Sequence, residues 1–231
     1  MNAHRINKGE YPDLSNKKST DFFFDEKDDD TEISGVIVDL CVNRLPKYYR
    51  VKPSDIQVLI PMQRGEIGAQ NLNTVLQKEL NREKTALYRS GIEYKRGDKV
   101  MQIKNNYDKE IWNGDIGIIN SVDIDERTLE VSFDTGDPIR YELNELDELV
   151  LAYATTVHKA QGSEYDIVVM PMSTQHYKML QRNLLYTAIT RARKAVVIVG
   201  TKRAISIAIN NNHVAKRNTG LAKRIQNTQS P

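Results

Sequence analysis

One run of residues, KAVVIVG at 194–200, limits the folds open to this chain more than any other feature. Every position between Lys194 and Gly200 is apolar, so a strand formed here has to be covered on both faces. Strands of this kind are typical of parallel sheets with helices on both sides, and alternating strand-like and helix-like patterns surround the run. The sequence therefore predicts an α/β fold built on a parallel sheet.

Residues 93–148 have a different pattern, in which short predicted strands alternate with turn residues. The turns are marked by Asn113-Gly114-Asp115 and by Thr135-Gly136-Asp137-Pro138. The predicted strands lie at 98–103, 117–122, 129–133 and 139–143. We expect this segment to form a small antiparallel β-barrel that interrupts the α/β domain, whose two parts are then 35–92 and 149–212. The second part is expected to open with one strand at 149–155.

The two ends of the chain show little regular pattern. Residues 1–34 are polar and rich in Asn and Asp, and we expect an irregular connector in which Phe22-Phe23-Phe24 is a candidate docking strand. From Lys202 onward there are six Lys or Arg and no Asp or Glu, and residues 213–231 are expected to be a disordered basic tail. Such a tail either contacts nucleic acid or only keeps the chain in solution, and the composition fits both interpretations.

Composition excludes several classes of protein. Hydrophobic residues make up 39% of the 231 residues and charged residues 28%, which fits a globular protein with a packed core. No run of 18 apolar residues marks a membrane span, and the start of the chain lacks the apolar segment of a signal peptide. The single cysteine, Cys41, rules out a disulfide framework and a cysteine-based metal site. We therefore expect a cytoplasmic protein with no membrane partner, and the net charge of +2 selects no partner either.

Three polar clusters adjoin predicted strands, at the places where open α/β sheets hold their ligands. They are PMQRGEIG at 61–68, after a predicted strand at 57–60; TVHKAQGSE at 156–164; and LYTAITRAR at 185–193, late in a helix predicted at 175–191. Each cluster contains a cation, and guanidinium groups with nearby hydroxyls suit the oxygen atoms of polyphosphates. The clusters therefore indicate a phosphate-binding site.

These segments resemble known helicase motifs. TVHKAQGSEYDIVV is similar to motif V of superfamily 1 helicases, and LLYTAITRARKAVVIVG is similar to their motif VI. PMQRGEIGAQNLNTVLQKELN resembles the motif IV region of the RecD-like branch, and NAHRINKGEYP resembles the segment that follows motif III there. GDKVMQIKNNYDKEIWNGDIGII resembles the SH3-like insertion of RecD-like enzymes. The resemblance covers nearly all of residues 1–205 and implies a RecA-like second motor domain that is interrupted by an SH3-like barrel.

The resemblance implies nucleotide contacts at five residues. Arg191 matches the arginine finger of motif VI and Arg64 the cation of motif IV, so both are expected near the γ-phosphate of ATP. Gln161, Gly162 and Glu164 match the part of motif V that approaches the nucleotide, with the Glu164 carboxylate accepting a hydrogen bond from a ribose hydroxyl. The implied cofactors are ATP and Mg²⁺.

Contacts with single-stranded DNA are implied as well. Thr156 and His158 match motif V groups that hold a phosphate of the strand, and Lys159 lies beside them. In the insertion, Lys104 is a further candidate by its charge and Trp112 by base stacking. The RecD-like resemblance also implies movement along the strand in the 5′-to-3′ direction.

Purely structural interpretations of the same residues stay open. Thr156 is also typical of a residue that caps a helix entry, and Arg193 near a helix end suits the helix dipole. Trp112 beside a turn is also typical of a residue that packs a hairpin. For Arg191 and Glu164 the functional interpretation is favoured, because two separate motifs agree.

Two parts that a helicase of this class needs are absent from the sequence. It contains no P-loop of the form G-x-x-x-x-G-K-[ST], and we expect that no apolar strand ends in an acidic pair able to hold Mg²⁺. We expect both in a first motor domain that makes most of the contacts with ATP and Mg²⁺ and that is either supplied in trans or lost by truncation. This chain alone is therefore expected to hydrolyse no ATP. The alternatives are a free-standing adaptor that binds single-stranded nucleic acid, and a degenerate remnant without activity.

Overall fold

The computed structural model describes residues 2–17, 19–133 and 136–212, so the predicted basic tail at 213–231 lies outside the described residues. The α-helices, α1 to α6 in chain order, are Asn2–Lys8, Asp30–Asp39, Leu45–Tyr49, Ala69–Leu80, Arg182–Ile189 and Lys202–Asn210. The strands, β1 to β12, are Phe22–Glu26, Ile56–Ile60, Ala86–Arg89, Ile92–Lys95, Lys99–Gln102, Ile116–Asp123, Thr128–Phe133, Ile139–Glu142, Leu149–Leu151, Ala154–Thr156, Tyr165–Met172 and Ala192–Gly200. Turns of 3₁₀-helix lie at Pro53–Asp55, Glu145–Glu148 and Thr174–Met179, and a π-helical turn, Leu40–Arg44, joins α2 to α3. Within the described ranges, no helix has the length and apolar character that crossing a bilayer requires.

Five parallel strands form the larger sheet, in the order β1-β12-β11-β2-β10. The apolar run at 194–200 lies in β12, which pairs with β1 on one side and β11 on the other. Both faces are covered, because Val197 packs in the cluster that holds α2 and α4, whereas Val196 and Ile198 pack in the cluster that holds α1, α5 and α6. The predicted parallel sheet with helices on both sides is confirmed.

The amino-terminal segment is more regular than the irregular connector predicted at 1–34. It contains helix α1, and Phe22–Glu26 forms β1, the edge strand that pairs parallel with β12. This apolar strand ends in the acidic pair Asp25-Glu26, which was not expected, and the two carboxylates are paired with Arg44 and Lys202. Side chains satisfy the outer backbone groups of this edge: Asn16 Nδ2 donates to the Phe24 carbonyl and Asn16 Oδ1 accepts from the Phe24 N–H, both over 2.8 Å. Thr20 Oγ1 similarly accepts from the Phe22 N–H over 3.1 Å. An edge covered in this way is closed to a further strand.

The antiparallel β module is also present. Its five strands follow the order β8-β7-β6-β5-β9 and enclose a core that includes Ile119, Leu129, Val131 and Tyr141. A separate two-stranded hairpin, β3–β4, lies before it in the chain. The predicted fold class is therefore confirmed, while the residue limits proposed for each domain stay a prediction.

The strand predicted at 149–155 is in fact two strands that belong to different sheets. β9 pairs antiparallel with β5, whereas β10 pairs parallel with β2. The chain changes sheets at Ala152 and Tyr153, where the Ala152 N–H donates to the Lys99 carbonyl over 2.7 Å and Gln57 Nε2 donates to the Ala152 carbonyl over 3.1 Å. The prediction of one strand was wrong because a run of strand-forming residues does not reveal which neighbour each part pairs with.

A buried carboxylate lies beside this joint between the sheets. Asp98 has no exposed surface and accepts four hydrogen bonds, from Gln77 Nε2 (2.6 Å), Asn81 Nδ2 (2.7 Å), the Lys95 N–H (2.7 Å) and the Tyr153 hydroxyl (2.9 Å). Burial raises the pKa of Asp98, and the four donors oppose that shift. Asp98 therefore ties α4 and the joint to the start of β5.

Candidate nucleotide and nucleic-acid site

The segment 157–164 connects the carboxyl end of β10 to the amino end of β11. We call the side of the sheet where the parallel strands end the carboxyl edge, and the side where they begin the amino edge. β10 ends at Thr156, which lies opposite Ile60 at the carboxyl end of β2. The register of β2 with β11 places Ile60 level with Pro171. β11 begins at Tyr165, six residues before Pro171. At about 3.3 Å per residue, the segment therefore connects two edges that are about 20 Å apart.

Arg191 lies at the amino edge, in the turn between α5 and β12. The prediction of one helix over 175–191 was wrong. The segment contains a 3₁₀ turn followed by α5, and α5 ends at Ile189, so Arg191 lies outside the helix. The Arg191 guanidinium is partly buried, and its Nη1 donates to the Ser163 carbonyl over 3.2 Å. Its Nε is buried and makes no hydrogen bond with the described residues. The side chain is thus positioned in advance, and because the Nε is buried, the N–H groups at the Nη end are the donors that a bound anion can meet.

The second half of TVHKAQGSE reaches the same edge. Gln161, Gly162 and Glu164 are exposed, and Gly162 has a φ of 93°, a left-handed conformation that glycine adopts without strain. Glu164 Oε2 accepts a hydrogen bond from Arg193 Nε over 3.1 Å, and both side chains are more than half exposed. Exposed ion pairs contribute only about 0–1 kcal/mol, so another donor can replace Arg193 at this carboxylate. The structure therefore brings these three residues close to Arg191.

Arg64 lies at the opposite, carboxyl edge, in the turn that follows β2. The turn is compact, since the Gly68 N–H donates to the Gly65 carbonyl over 3.0 Å. Because β2 and β10 are neighbours, the exposed Arg64 lies on the same edge as Thr156, about 20 Å along the strands from Arg191. The structure does not bring together the two arginines that were expected to meet one γ-phosphate.

The Arg64 turn depends on a glycine, and Gly68→Ala is expected to destabilise it. A Cβ at residue 68 would lie 2.5 Å from the Arg64 carbonyl carbon and oxygen and 2.8 Å from the Gln63 oxygen, distances that real Cβ atoms do not show. We expect a loss of about 1–3 kcal/mol in the free energy of unfolding, measured by urea denaturation. Gly35→Ala in α2 is the matched control: a Cβ there meets open space, so a gain of about 0.5–1 kcal/mol is expected. Effects of the same sign at both glycines would contradict this prediction.

A polar cleft of ≈ 510 Å³ opens at the carboxyl edge, between α4, the β3–β4 hairpin and the end of β10. Lys159 lines it, and burial lowers the pKa of this lysine. Among the described residues its ammonium group has no ion pair, and the one carboxylate on the cleft wall, Glu93, is paired with Lys95 over 3.2 Å. Thr156 is buried at the same cleft, and His158 is exposed two residues further on. A half-buried cation without a counter-ion suits a phosphate group.

The remaining candidates lie on the antiparallel module. Trp112 borders a second cleft, of ≈ 750 Å³, whose other wall includes Ser163, Glu164 and Arg193. Trp112 is 48% exposed, so about half of its surface is open to a ligand. Lys104 is exposed on the loop that follows β5.

Sequence reasoning missed two residues near these sites. Asp98 was missed because an aspartate is normally exposed, and its four donors come from distant parts of the chain. Tyr107 was missed although it lies five residues before Trp112, on the same predicted loop. Two aromatic residues in a loop whose other residues are mostly polar were the signal that was available.

Comparison with known protein families assigns two segments of the chain. Residues 151–199 match the UvrD-like helicase C-terminal domain, and residues 72–133 match the SH3 domain of ATP-dependent RecD-like DNA helicases. The first match includes β10, β11, most of β12 and the segment 157–164. The second begins in α4 and ends with β7.

Two curated relatives are similar over most of this chain. The ATP-dependent RecD2 DNA helicase of Deinococcus radiodurans is 40% identical over 174 residues, which cover 75% of this chain and 24% of the relative. The RecBCD enzyme subunit RecD of Mycolicibacterium smegmatis is 31% identical over 170 residues, which cover 74% of this chain and 29% of the relative. The chain therefore spans about a quarter of the length of these relatives.

The fold is also that of a solved helicase. A crystal structure of Pif1 helicase from Bacteroides, in complex with ADP-AlF3 and ssDNA, matches 99% of this chain and 53% of its own, with a TM-score of 0.52 and 15% identity. The parallel sheet and its antiparallel insertion thus have the fold of a RecA-like helicase domain that carries an SH3-like module. Over the region of the family matches, the chain is homologous to the RecD-like helicases, and it is consistent with the C-terminal half of such a protein.

Proposed function

We propose that this chain is the C-terminal motor half of an ATP-dependent 5′-to-3′ DNA helicase, in which it supplies an arginine finger and a grip on single-stranded DNA. The observation that carries the proposal is the path of the segment 157–164, which begins beside the Lys159 cleft and ends beside Arg191. One short segment joins the two candidate ligand sites, and we propose that it couples them. The direction of movement rests on the RecD-like resemblance.

At the amino edge, we assign Arg191 to the nucleotide. Bound ATP with Mg²⁺ supplies the phosphoanhydride bond whose hydrolysis drives movement. The guanidinium, already held by a backbone carbonyl, would present the N–H groups of its Nη end to charge that develops on the γ-phosphate. Glu164 exchanges Arg193 for a ribose hydroxyl, with Gln161 and Gly162 beside the nucleotide.

Arg64 remains a prediction for the γ-phosphate. Its place on the carboxyl edge, shared with Thr156, makes a phosphate of the DNA strand the alternative ligand. Arg64→Ala distinguishes the two: loss of ATP hydrolysis with unchanged DNA affinity supports the nucleotide, and loss of DNA affinity supports the strand.

The P-loop that cradles ATP belongs, in this proposal, to a first motor domain, and the length of the relatives supports a larger assembly. Arg191 then acts across the interface between the two domains, and the chain alone hydrolyses no ATP. A cytoplasmic location, with DNA as the target, is part of the same proposal.

At the carboxyl edge, we assign a DNA phosphate to Thr156, His158 and Lys159. Lys159 provides a charge that is already partly desolvated, which strengthens its interaction with an anion. Lys104 and Trp112 are proposed to contact the strand further along, on the SH3-like module. Every contact with phosphate releases counter-ions, so the affinity for single strands is expected to fall as salt rises.

The salt dependence gives a direct test of Lys159. Lys159→Ala is expected to weaken binding of a labelled oligothymidylate and to reduce the slope of log affinity against log salt by about 0.7, the value for one phosphate contact on a single strand. Fluorescence anisotropy between about 50 and 200 mM salt measures both quantities. Lys78→Ala, which removes an exposed lysine from the same helix that borders the cleft, is the control and should leave the slope unchanged. Equal slopes for Lys159→Ala and the parent chain would remove Lys159 from the site.

A further inference from the structure

Two aromatic side chains, Tyr107 and Trp112, are exposed together on the loop that follows β5. Tyr107 is 73% exposed, and the two rings meet edge to face, with centroids 5.5 Å apart and planes at 77°. Large aromatic rings normally gain stability by burial, so an exposed pair indicates a binding surface. We infer, on the basis of the proposed function, that Tyr107 and Trp112 form a platform on which bases of single-stranded DNA stack.

The loop holds the rings in place before a ligand arrives. Asn106 and Ile111 form an antiparallel bridge with hydrogen bonds of 2.8 and 3.1 Å, and Ile111 is buried beneath the loop. Asn106 Nδ2 donates to Glu148 Oε2 over 3.1 Å, and the backbone N–H of Trp112 donates to Asp115 Oδ2 over 2.8 Å. A surface that is ordered in advance loses less entropy when it binds.

The aromatic pair lies next to the segment to which we assign the DNA phosphate. The turn at 112–115 approaches this segment so closely that a Cβ added to Gly114 would lie 3.8 Å from the Lys159 carbonyl oxygen. A strand held by a phosphate near Lys159 therefore passes within reach of the rings.

The charges beside the two rings favour contact with the bases of the DNA strand over contact with its phosphate backbone. Asp108 and Glu110 are exposed beside the rings, and their carboxylates repel phosphates, whereas the exposed cation of the loop, Lys104, lies at its start. Every base, in contrast, has a π face that stacks on an aromatic ring, so stacking tolerates any sequence. The platform is thus expected to add affinity for single strands with little preference among bases.

The composition of the chain makes the platform easy to observe. Trp112 is the only tryptophan, so intrinsic tryptophan fluorescence reports on this ring alone. Titration of the full chain with oligothymidylate is expected to quench the emission. Tyr107→Ala is expected to reduce the quench and to weaken binding about 5- to 150-fold, which corresponds to about 1–3 kcal/mol for one stacked base. An abasic oligonucleotide of the same length has the same charge and is expected to bind without quenching.

Two further variants control for general effects of the substitution. Tyr107→Phe keeps the ring and should keep both the quench and the affinity. Tyr48→Ala removes a tyrosine that is 70% exposed on α3, beside β1 at the other side of the parallel sheet, and should change neither. If Tyr107→Ala fails to fold, Trp112→Ala with a labelled oligonucleotide tests the same loss of affinity.

The outcomes separate this inference from the proposed function. Binding of oligothymidylate without any quench, or an equal quench by the abasic strand, overturns the platform and leaves the phosphate grip intact. Emission that responds to an added P-loop motor domain and not to DNA would show that the rings bind protein, which also overturns it. Failure to bind either oligonucleotide overturns the proposed function and the platform together.

Discussion

Arg191→Ala is expected to lower single-strand-stimulated ATP hydrolysis by about 10³- to 10⁵-fold when the chain is combined with a P-loop motor domain. The loss is large because an arginine finger meets negative charge that develops in the transition state, where each contact acts directly on the rate. DNA binding is expected to stay unchanged. The measurement is kcat for ATP at saturating single-stranded DNA, together with the anisotropy of a labelled strand.

The local structure gives a reason to expect a clean effect. Among the contacts of Arg191, the side chain contributes the hydrogen bond to the Ser163 carbonyl. The backbone contributes two others, from the Arg191 N–H to Ala188 over 3.1 Å and from the Tyr165 N–H to the Arg191 carbonyl over 2.8 Å. Alanine keeps both backbone contacts, so the turn before β12 is retained and the loss of rate can be assigned to the guanidinium.

Arg193→Ala is the matched control for this experiment. Arg193 lies two residues further along the chain, and its exposed pair with Glu164 makes it a cation of the same kind in a different role. We expect a change of only a few-fold, in line with the small contribution of exposed pairs. Arg191→Lys keeps the charge but loses the planar fork, and we expect most of the activity to be lost.

Two results would contradict the assignment of Arg191. One is a rate within tenfold of the parent in the alanine variant, measured with a partner domain that restores hydrolysis to the parent chain. The other is a parallel loss of DNA binding. If no P-loop domain restores hydrolysis and the chain still binds single strands in a salt-dependent way, the adaptor interpretation replaces the motor half.

The parallel sheet could be predicted from the sequence because its signal is local. Continuous apolar residues in β12 require cover on both faces, and that requirement does not depend on any distant contact. The antiparallel module was equally accessible, because its turns are marked by glycine and asparagine and its strands are short.

The arrangement of the site was only partly accessible. In a parallel sheet, a residue that follows a strand and a residue that precedes one lie at opposite edges, so the order of Arg64 after β2 and Arg191 before β12 already implied their separation. Motif resemblance concealed this, because it groups residues by ligand and not by position. The change of sheets at Tyr153 had no local signal, since both parts of 149–155 favour a strand.

Asp98 shows most clearly what depends on tertiary structure. No local pattern predicts a buried aspartate, because burial of a carboxylate is tolerated only where donors converge on it. Those donors come from α4, from the end of β4 and from the joint at Tyr153. The residue lies where the SH3-like module meets the parallel sheet, so its loss is expected to destabilise both the module and the sheet.

Asp98→Ala is expected to lower the free energy of unfolding by about 3–5 kcal/mol, because it leaves four donors without their acceptor in a buried site. Urea denaturation of the chain measures the change. Asp125→Ala is the matched control: Asp125 is exposed in the turn between β6 and β7, and we expect a change within about 0.5 kcal/mol. A loss below about 1 kcal/mol at Asp98 would mean that water replaces the carboxylate at little cost.

Asp98→Asn separates the charge from the shape of the side chain. Burial raises the pKa of Asp98 above the value of about 3.9 for an unfolded aspartate, so between these two pKa values the folded chain keeps a proton that the unfolded chain releases. The stability that this proton contributes is fully present below the unfolded pKa and is lost as pH rises through the folded pKa. Asparagine does not titrate, so the difference in free energy of unfolding between parent and variant should shift in favour of the variant as pH rises over that interval. A shift in the opposite direction would show that the four hydrogen bonds outweigh burial and hold the carboxylate ionised in the folded chain.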